Sequence, residues 1–254
     1  MISFNNIGHM GRLGNQMFQY AALRGIAAHN GYEYSSPQEK IMLTDCFKIP
    51  KTKGVNNSQM YSLDGIEFNK EFFDNCPDNI DLYGFFQSEK YFQNIEGELR
   101  KDFTFYDNVQ KMCKTYLGGM FGSSKVISMH IRRTDFITDS QFYTLDLKYY
   151  KTALTHFDHD TPVIIVSDDP QWCKENFEGE RFFISTSNNL NVDMCLMSLC
   201  DYHVIANSSF SWWGSWLAKS KKTIAPSRWF SSDGQFKDWS TEDLYNSNWT
   251  LICN

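Results

Sequence analysis

The sequence predicts an α/β protein of two Rossmann-type βαβ domains facing across a cleft, the N-terminal one reduced. Three observations carry that expectation. Strand and helix patterns alternate over residues 125–225, the signature of parallel βαβ units in a doubly wound sheet. At the N-terminus, a glycine loop from Gly8 to Gly14 stands between a short apolar strand and a helical stretch. A break at Gly118-Gly119 and Gly122-Ser123-Ser124 separates the halves, which places the domains at residues 1–120 and 121–254.

The elements follow in order. Ile2-Ser3-Phe4 reads as the first strand, and a helix follows from about Asn15 to His29, whose apolar positions Met17, Ala21, Ala22 and Leu23 fit one face only loosely. Residues 37–62 are polar and turn-rich and predict no regular element. Asp81–Phe86 reads as a strand, and 89–100 and 107–117 as helices. Further strands are predicted over Lys125–Ile131, Pro162–Val166, Arg181–Ile184, His203–Ala206 and Thr223–Ala225. Helices are predicted between them over Leu147–Phe157, after Pro170, over Val192–Leu199 and over Phe210–Ala218. Ser167-Asp168-Asp169 before Pro170 suits a helix start, since proline is favoured at the first helical position.

A net charge of −6 argues against a nucleic-acid surface, which is normally basic, but permits a local pocket of arginines. No run approaches the roughly 18 apolar residues of a membrane span. Met1-Ile2-Ser3-Phe4-Asn5-Asn6 also lacks the basic start and apolar core of a secretion signal. The expectation is a protein with no integral membrane segment. Cys195 and Cys200 fall in an apolar helical run, so with His203 they read as buried groups rather than zinc ligands. Asp158-His159-Asp160 has the letters of a metal motif but precedes a strand instead of ending one, and reads as solvated surface.

The most informative stretch is Ser128-Met129-His130-Ile131-Arg132-Arg133-Thr134-Asp135. Period-two alternation projects His130 and Arg132 to one face, with Arg133 and Asp135 in the turn beyond. Ligands of open α/β sheets bind outside the carboxyl ends of the strands. Two permanently charged guanidiniums there match the oxygens of a diphosphate. The plainer reading is an ion pair of Arg132 or Arg133 with Asp135. Asn207-Ser208-Ser209 leads into a helix, where it suits either an ordinary cap or an anion held by exposed N–H groups. Trp212 and Trp216 share a helical face and read as core, leaving Trp213 as the one that can stack on a sugar. Gly8, Gly11 and Gly14, with Glu33 as ribose acid, imitate a dinucleotide fingerprint, but the required Gly-x-Gly is missing.

Three strings resemble the GDP-fucose-dependent fucosyltransferases, and among them the α1,2-fucosyltransferases of glycosyltransferase family 11. They are Gly11-Arg12-Leu13-Gly14-Asn15-Gln16-Met17-Phe18-Gln19-Tyr20-Ala21, His130-Ile131-Arg132-Arg133-Thr134-Asp135, and Asn207-Ser208-Ser209-Phe210-Ser211-Trp212-Trp213-Gly214, in the family's order. His9-Met10-Gly11 departs from the Gly-Gly that many members carry there. The resemblance implies a GT-B fold, with 1–120 as an acceptor-side domain and 121–254 as a GDP-fucose-binding Rossmann-like domain. A C-terminal segment, Trp239–Asn254, is then expected to return to the first domain.

The implied reaction is inverting transfer of L-fucose from GDP-β-L-fucose to the 2-hydroxyl of a terminal galactoside, with no cofactor and no divalent metal. Implied partners are therefore GDP-fucose and a galactose-terminated glycan, not nucleic acid. Arg132, Asp135 and Asn15 are the implied catalytic residues. Arg12, Gly14, His130, Arg132 and Arg133 are implied donor contacts, together with Asp168 and the run Asn207, Ser208, Ser209 and Phe210. Asp193 is implied to read guanine by accepting from its N1–H and exocyclic amine. The base remains open among Asp135, Asp139, His130 and the leaving phosphate, since flanking arginines make Asp135 a better positioner than base. Golgi relatives carry a membrane anchor, and its absence points to a bacterial cytoplasmic enzyme, free or at the inner face of the membrane. The alternatives are a fucosyltransferase of another linkage or acceptor, a dinucleotide-dependent oxidoreductase, or a non-catalytic glycan- or nucleotide-binding module.

Overall fold

The structure is a computed structural model that describes residues 1–37, 39–55, 57 and 59–253. It divides into two compact units, one of residues 1–106 with 239–246, the other of 107–238 with the described residues that follow 246.

In the first unit, β1 (Ile2–Ser3), β2 (Tyr34–Ser35), β3 (Gln59–Ser62) and β4 (Ile80–Tyr83) form a parallel sheet in the order β2-β1-β4-β3. Its helices are α1 (Leu13–Asn30), α2 (Met42–Cys46), α3 (Lys70–Asp74) and α4 (Glu96–Asp102). Gly31 ends α1 in the left-handed region at φ 70°, and its N–H bonds the carbonyls of Ala27 and Ala28. Gly25 lets α1 lie directly on the chain at Tyr91, because a β-carbon there would stand 2.0 Å from the Tyr91 carbonyl oxygen. Residues 37–62 hold α2 and β3, elements too short to show a period in the sequence; Gln38, Asn56 and Ser58 lie outside the described residues.

In the second unit, β5 (Ile127–Ile131), β6 (Val163–Ser167), β7 (Phe182–Ile184), β8 (Tyr202–Val204), β9 (Lys222–Pro226) and β10 (Thr250–Ile252) form a parallel sheet ordered β10-β9-β8-β5-β6-β7. The helices are α5 (Asp107–Phe121), α6 (Thr134–Thr138), α7 (Leu147–Leu154), α8 (Pro170–Asn176), α9 (Leu190–Ser198) and α10 (Ser209–Ala218). Ile127, Met129 and Ile131 of β5 pack with Val163, Ile165, Val204 and Ile224 under Tyr149 and Tyr150. All five residues of β5 are buried, as a central parallel strand covered on both faces requires.

The predicted strands and helices of 125–225 are all present. Three features differ from expectation. First, α5 belongs to the second unit, where Cys113 Sγ donates to the Val192 carbonyl of α9 at 3.7 Å, so the division falls after residue 106. Gly118 and Gly119 lie within this helix and Gly122, at φ 59°, follows its last residue, so these glycines do not mark the division. Second, the turn after β5 winds into α6. Third, the C-terminal segment splits. Residues 239–246 join the first unit, where Asp243 accepts from the Phe68 N–H at 3.0 Å and pairs with Lys90, and Ser240 N–H donates to Glu67 at 3.0 Å. The following residues supply β10, and Asn254 lies outside the described residues.

Each sheet reverses its strand order at one place. In the first unit the chain runs from β1 outward to β2, then fills the other side, so β1 and β4 flank the reversal. In the second it runs β5, β6, β7, then returns to place β8 on the other flank of β5. Loops after the strands at such a reversal part to opposite faces and leave a crevice. Among the described residues, no helix is long and apolar enough to cross a membrane.

Candidate active site

The reversal of the second sheet brings together the loops that follow β5 and β8, and these carry two of the three strings singled out in the sequence. His130, the penultimate residue of β5, is only 4% exposed, with its ring centroid 5.5 Å from that of Phe210. Its Nδ1 has no hydrogen-bond partner among the described residues. Burial, reinforced by the charge of Arg132, drives its pKa down to about 3. The ring is therefore neutral at ordinary pH and too weakly basic to serve as a general base there.

Arg132 leaves the strand end with two carboxylates around it. Nη2 meets Asp135 Oδ2 at 2.5 Å, and Nε faces Asp168 Oδ2 at 3.2 Å. Nη1 has no partner among the described residues. Asp168, expected beside the donor, is engaged by the arginine turn itself. Its Oδ1 accepts from the Arg133 N–H at 2.9 Å and its Oδ2 from Thr134 Oγ1 at 2.6 Å. Asp169 is the cap of α8, accepting from the Trp172 N–H at 3.1 Å. Arg133 is held by the same loop, its guanidinium carbon 4.1 Å from the Trp172 ring centroid and its Nε 3.2 Å from Asp169 Oδ2. The expected ion pair with Asp135 is thus made by Arg132, which Asp168 also engages, whereas Arg133 pairs with Asp169 instead.

After β8, Asn207 is buried, and its Nδ2 donates at 2.8 Å to the carbonyls of both Tyr143 and Trp229. It ties two loops together through Nδ2, while its Oδ1 has no hydrogen-bond partner among the described residues. Ser208 caps α10, its Oγ accepting from the Phe210 N–H at 3.3 Å, and Ser208, Ser209 and Phe210 are half-buried. Trp213 is fully enclosed between Trp212 and Trp216, at 5.0 and 5.1 Å between centroids, and so belongs to the core instead of stacking on a sugar.

Asp193 sits in the first turn of α9. Its Oδ1 accepts from Ser185 Oγ at 2.6 Å and Ser187 Oγ at 2.8 Å, and its Oδ2 has no partner among the described residues. Burial raises its pKa, and the two hydroxyls oppose that rise. Sequence reasoning missed these serines; the available signal was two hydroxyls spaced two apart directly after an apolar strand.

Arg12, Gly14 and Asn15 belong to the first unit. Arg12 is exposed at the N-cap of α1, Gly14 is buried in its first turn, and Asn15 Oδ1 accepts from Gln87 Nε2 at 2.7 Å. Two glutamines of the same string are structural. Gln19 Nε2 donates at 3.2 Å to the carbonyls of Met10 and Gly84, and Gln16 accepts from the Leu43 N–H at 3.0 Å. Polar residues on a wholly buried helix face were the clue to that bracing. Asp158, His159 and Asp160 are exposed, and Cys195 and Cys200 are buried free thiols. His203 Nε2 lies 3.0 Å from the Met197 carbonyl.

The buried histidines set an acid limit on stability. In the unfolded chain an imidazole titrates near 6.5. In the native protein burial holds His130 down to about 3 and His203 down to about 4. Between those values the unfolded chain binds protons that the native one does not, so native stability is lost as pH falls below about 6.5. Each such histidine contributes a slope of about 1.4 kcal/mol per pH unit inside its window. Urea unfolding between pH 7 and pH 4 checks this, with His130→Asn expected to flatten the dependence; an equal slope in the variant contradicts the assignment.

The chain matches the family model of glycosyl transferase family 11 over residues 1–253. It is 29% identical to an α-1,2-colitosyltransferase of Escherichia coli, over 88% of this chain and 91% of that one. It is 26% identical to galactoside α-(1,2)-fucosyltransferase 2 of Bos taurus, over 97% of this chain and 78% of that one. In structure it is similar to POFUT1 in complex with GDP-fucose, at a TM-score of 0.56 and 11% identity, covering 86% of this chain and 94% of that one. It is also similar to the NodZ α-1,6-fucosyltransferase soaked with GDP-fucose, at a TM-score of 0.52 and 14% identity, covering 85% and 91%. Those two likenesses are of fold, a GT-B-like α/β fold with parallel sheets. The sequence match runs from the glycine loop through the arginine turn to the last strand, and by it this chain belongs to glycosyltransferase family 11.

Proposed function

We propose that the chain is an inverting, metal-independent galactoside α1,2-fucosyltransferase, moving L-fucose from GDP-β-L-fucose to the 2-hydroxyl of a terminal galactose. The observation that carries the reading is Arg132, a guanidinium at the tip of β5 fixed by Asp135 and Asp168 with Nη1 uncommitted. As the bond to fucose breaks, negative charge grows on the β-phosphate, and a preorganised cation stabilises it most where no side chain must move. The N-terminus of α10, which opens at Ser209 behind its cap Ser208, adds the positive end of a helix dipole. Asp193 Oδ2 is the acceptor for the guanine N1–H and amine, with Ser185 and Ser187 holding the other oxygen.

Arg12, Gly14 and Asn15 are assigned to the transferred sugar and its diphosphate. With His130 too weakly basic, the acceptor proton goes to Asp135, Asp139 or the departing phosphate. The mammalian relatives, named galactoside α-(1,2)-fucosyltransferases, support the acceptor and linkage. The E. coli relative is named a colitosyltransferase, which makes a colitosyl donor the second reading.

The deciding experiment incubates the protein with a β-galactoside and GDP-, UDP- or CMP-sugars in excess EDTA, with a GDP-linked colitosyl donor as a further arm. Fucosylated product from GDP-fucose, α1,2-linked by NMR, is expected at the rate seen with added magnesium. An absolute cation requirement, another linkage, or turnover of the colitosyl donor alone overturns the corresponding part of the proposal.

A further inference from the structure

We infer that Gln87 is a positioning residue that fixes the side-chain amide of Asn15, turning its donor edge toward the glycine loop. The inference rests on the functional reading above, in which Asn15 serves the transferred sugar.

Gln87 follows β4, and the glycine loop follows β1; these strands are neighbours at the reversal of the first sheet. The path that delivers Gln87 is unusual. Gly84 has φ 144°, and a β-carbon on it would stand 2.9 Å from the Leu63 carbonyl oxygen. Phe86, which is not glycine, has φ 51°, a left-handed conformation that an L side chain holds only where its surroundings enforce it. Its ring is locked against Phe4 and Tyr91, at 5.7 and 5.2 Å between centroids. The outcome of this bend is a glutamine only 7% exposed whose Nε2 donates to Asn15 Oδ1 at 2.7 Å.

A primary amide has one accepting and one donating edge. With Oδ1 of Asn15 claimed by Gln87, Nδ2 lies over Gly11, where a β-carbon would be 2.2 Å from it. Gly11 also has φ 82°, so both its conformation and the space above it require glycine. Gly11, Asn15 and Gln87 interlock. The terminal torsion of asparagine is broad and roughly two-fold, and the bond from Gln87 to Oδ1 favours the orientation that places Nδ2 over Gly11. An oxygen edge toward a sugar diphosphate repels where a donor edge attracts.

A double-mutant cycle on kcat tests this, using Asn15→Ala, Gln87→Met and both together, with the melting temperature of each variant recorded. Asn15→Ala is expected to lower kcat roughly 10²-fold, as loss of one donor to developing charge does. Gln87→Met is expected to cost roughly tenfold, a single buried hydrogen bond's worth. The double variant should match Asn15→Ala, because Gln87 has nothing left to act through. Should the methionine variant not fold, Gln87→Glu carries the test. Its carboxylate only accepts, draws Nδ2 toward itself, and should reduce kcat as far as Asn15→Asp does. Additive losses in the cycle, or wild-type kcat in either Gln87 variant, overturn the inference. If wild-type protein is inert toward GDP-fucose, the functional reading fails and takes this inference with it. If wild-type turnover is normal and the Gln87 variants match it, the inference fails alone.

Discussion

Replacing Arg132 with alanine is expected to reduce kcat for fucose transfer on the order of 10²–10³-fold, the loss seen when one preorganised donor to developing charge is removed. The donor KM should change far less, since the proposal places base reading at Asp193 and the β-phosphate gains its charge only as the bond breaks. Arg132→Lys tests geometry separately from charge. A lysine keeps the cation, but it lacks the planar fork that spans Asp135 and Asp168 at once and still presents Nη1 to the proposed diphosphate. Its kcat should therefore fall between wild type and alanine, and magnesium should restore neither variant. Initial rates with GDP-fucose and a β-galactoside, with and without EDTA, check this. If Arg132→Ala turns over near the wild-type rate, the guanidinium is not what stabilises the leaving group.

How much of this was legible in the sequence depends on what each residue does. The β5 string was readable because its strand is buried on both faces, so five consecutive residues alternate cleanly and then give way to charge. Elements with little burial to pattern were not: β2 is two residues long, α2 five, and β10 is an edge strand with Leu251 44% exposed. The glycines at 118–122 misled because a helix C-terminus and a domain boundary use the same residue. Within the site, the residue types were legible but their partners were not. Asp168 and Asp169 are adjacent acids, and only the fold shows that the first holds the arginine turn while the second caps a helix. Asn207 carries a family string yet spends both amide hydrogens on loops at residues 143 and 229, contacts that no local spacing encodes. Gln87 lies outside all three strings and becomes visible only through its bond to Asn15.

Asp168 is where the positioning and catalytic demands of the arginine turn separate. Asp168→Ala is expected to lower unfolding free energy by about 3 kcal/mol, the lower end of the cost of breaking a buried pair, because the side chain is 18% exposed. The loss arises because three donors, the Arg133 N–H, Thr134 Oγ1 and Arg132 Nε, are stranded together. Arg132 would remain, held by Asp135 alone, whose side chain is 42% exposed and so a softer anchor. A guanidinium that is present but loosely aimed should cost kcat about 10- to 10²-fold, since small misplacements of a catalytic group weigh heavily on rate. Asp168→Asn keeps an oxygen for the backbone N–H and should recover part of the stability while leaving Arg132 with Asp135 as its one anionic partner among the described residues. The two variants thus dissociate the quantities: urea unfolding should rank wild type, asparagine, alanine, whereas kcat should fall in both. Wild-type kcat in a folded Asp168→Asn protein would show that Asp135 alone fixes the arginine, and would move the positioning role to α6.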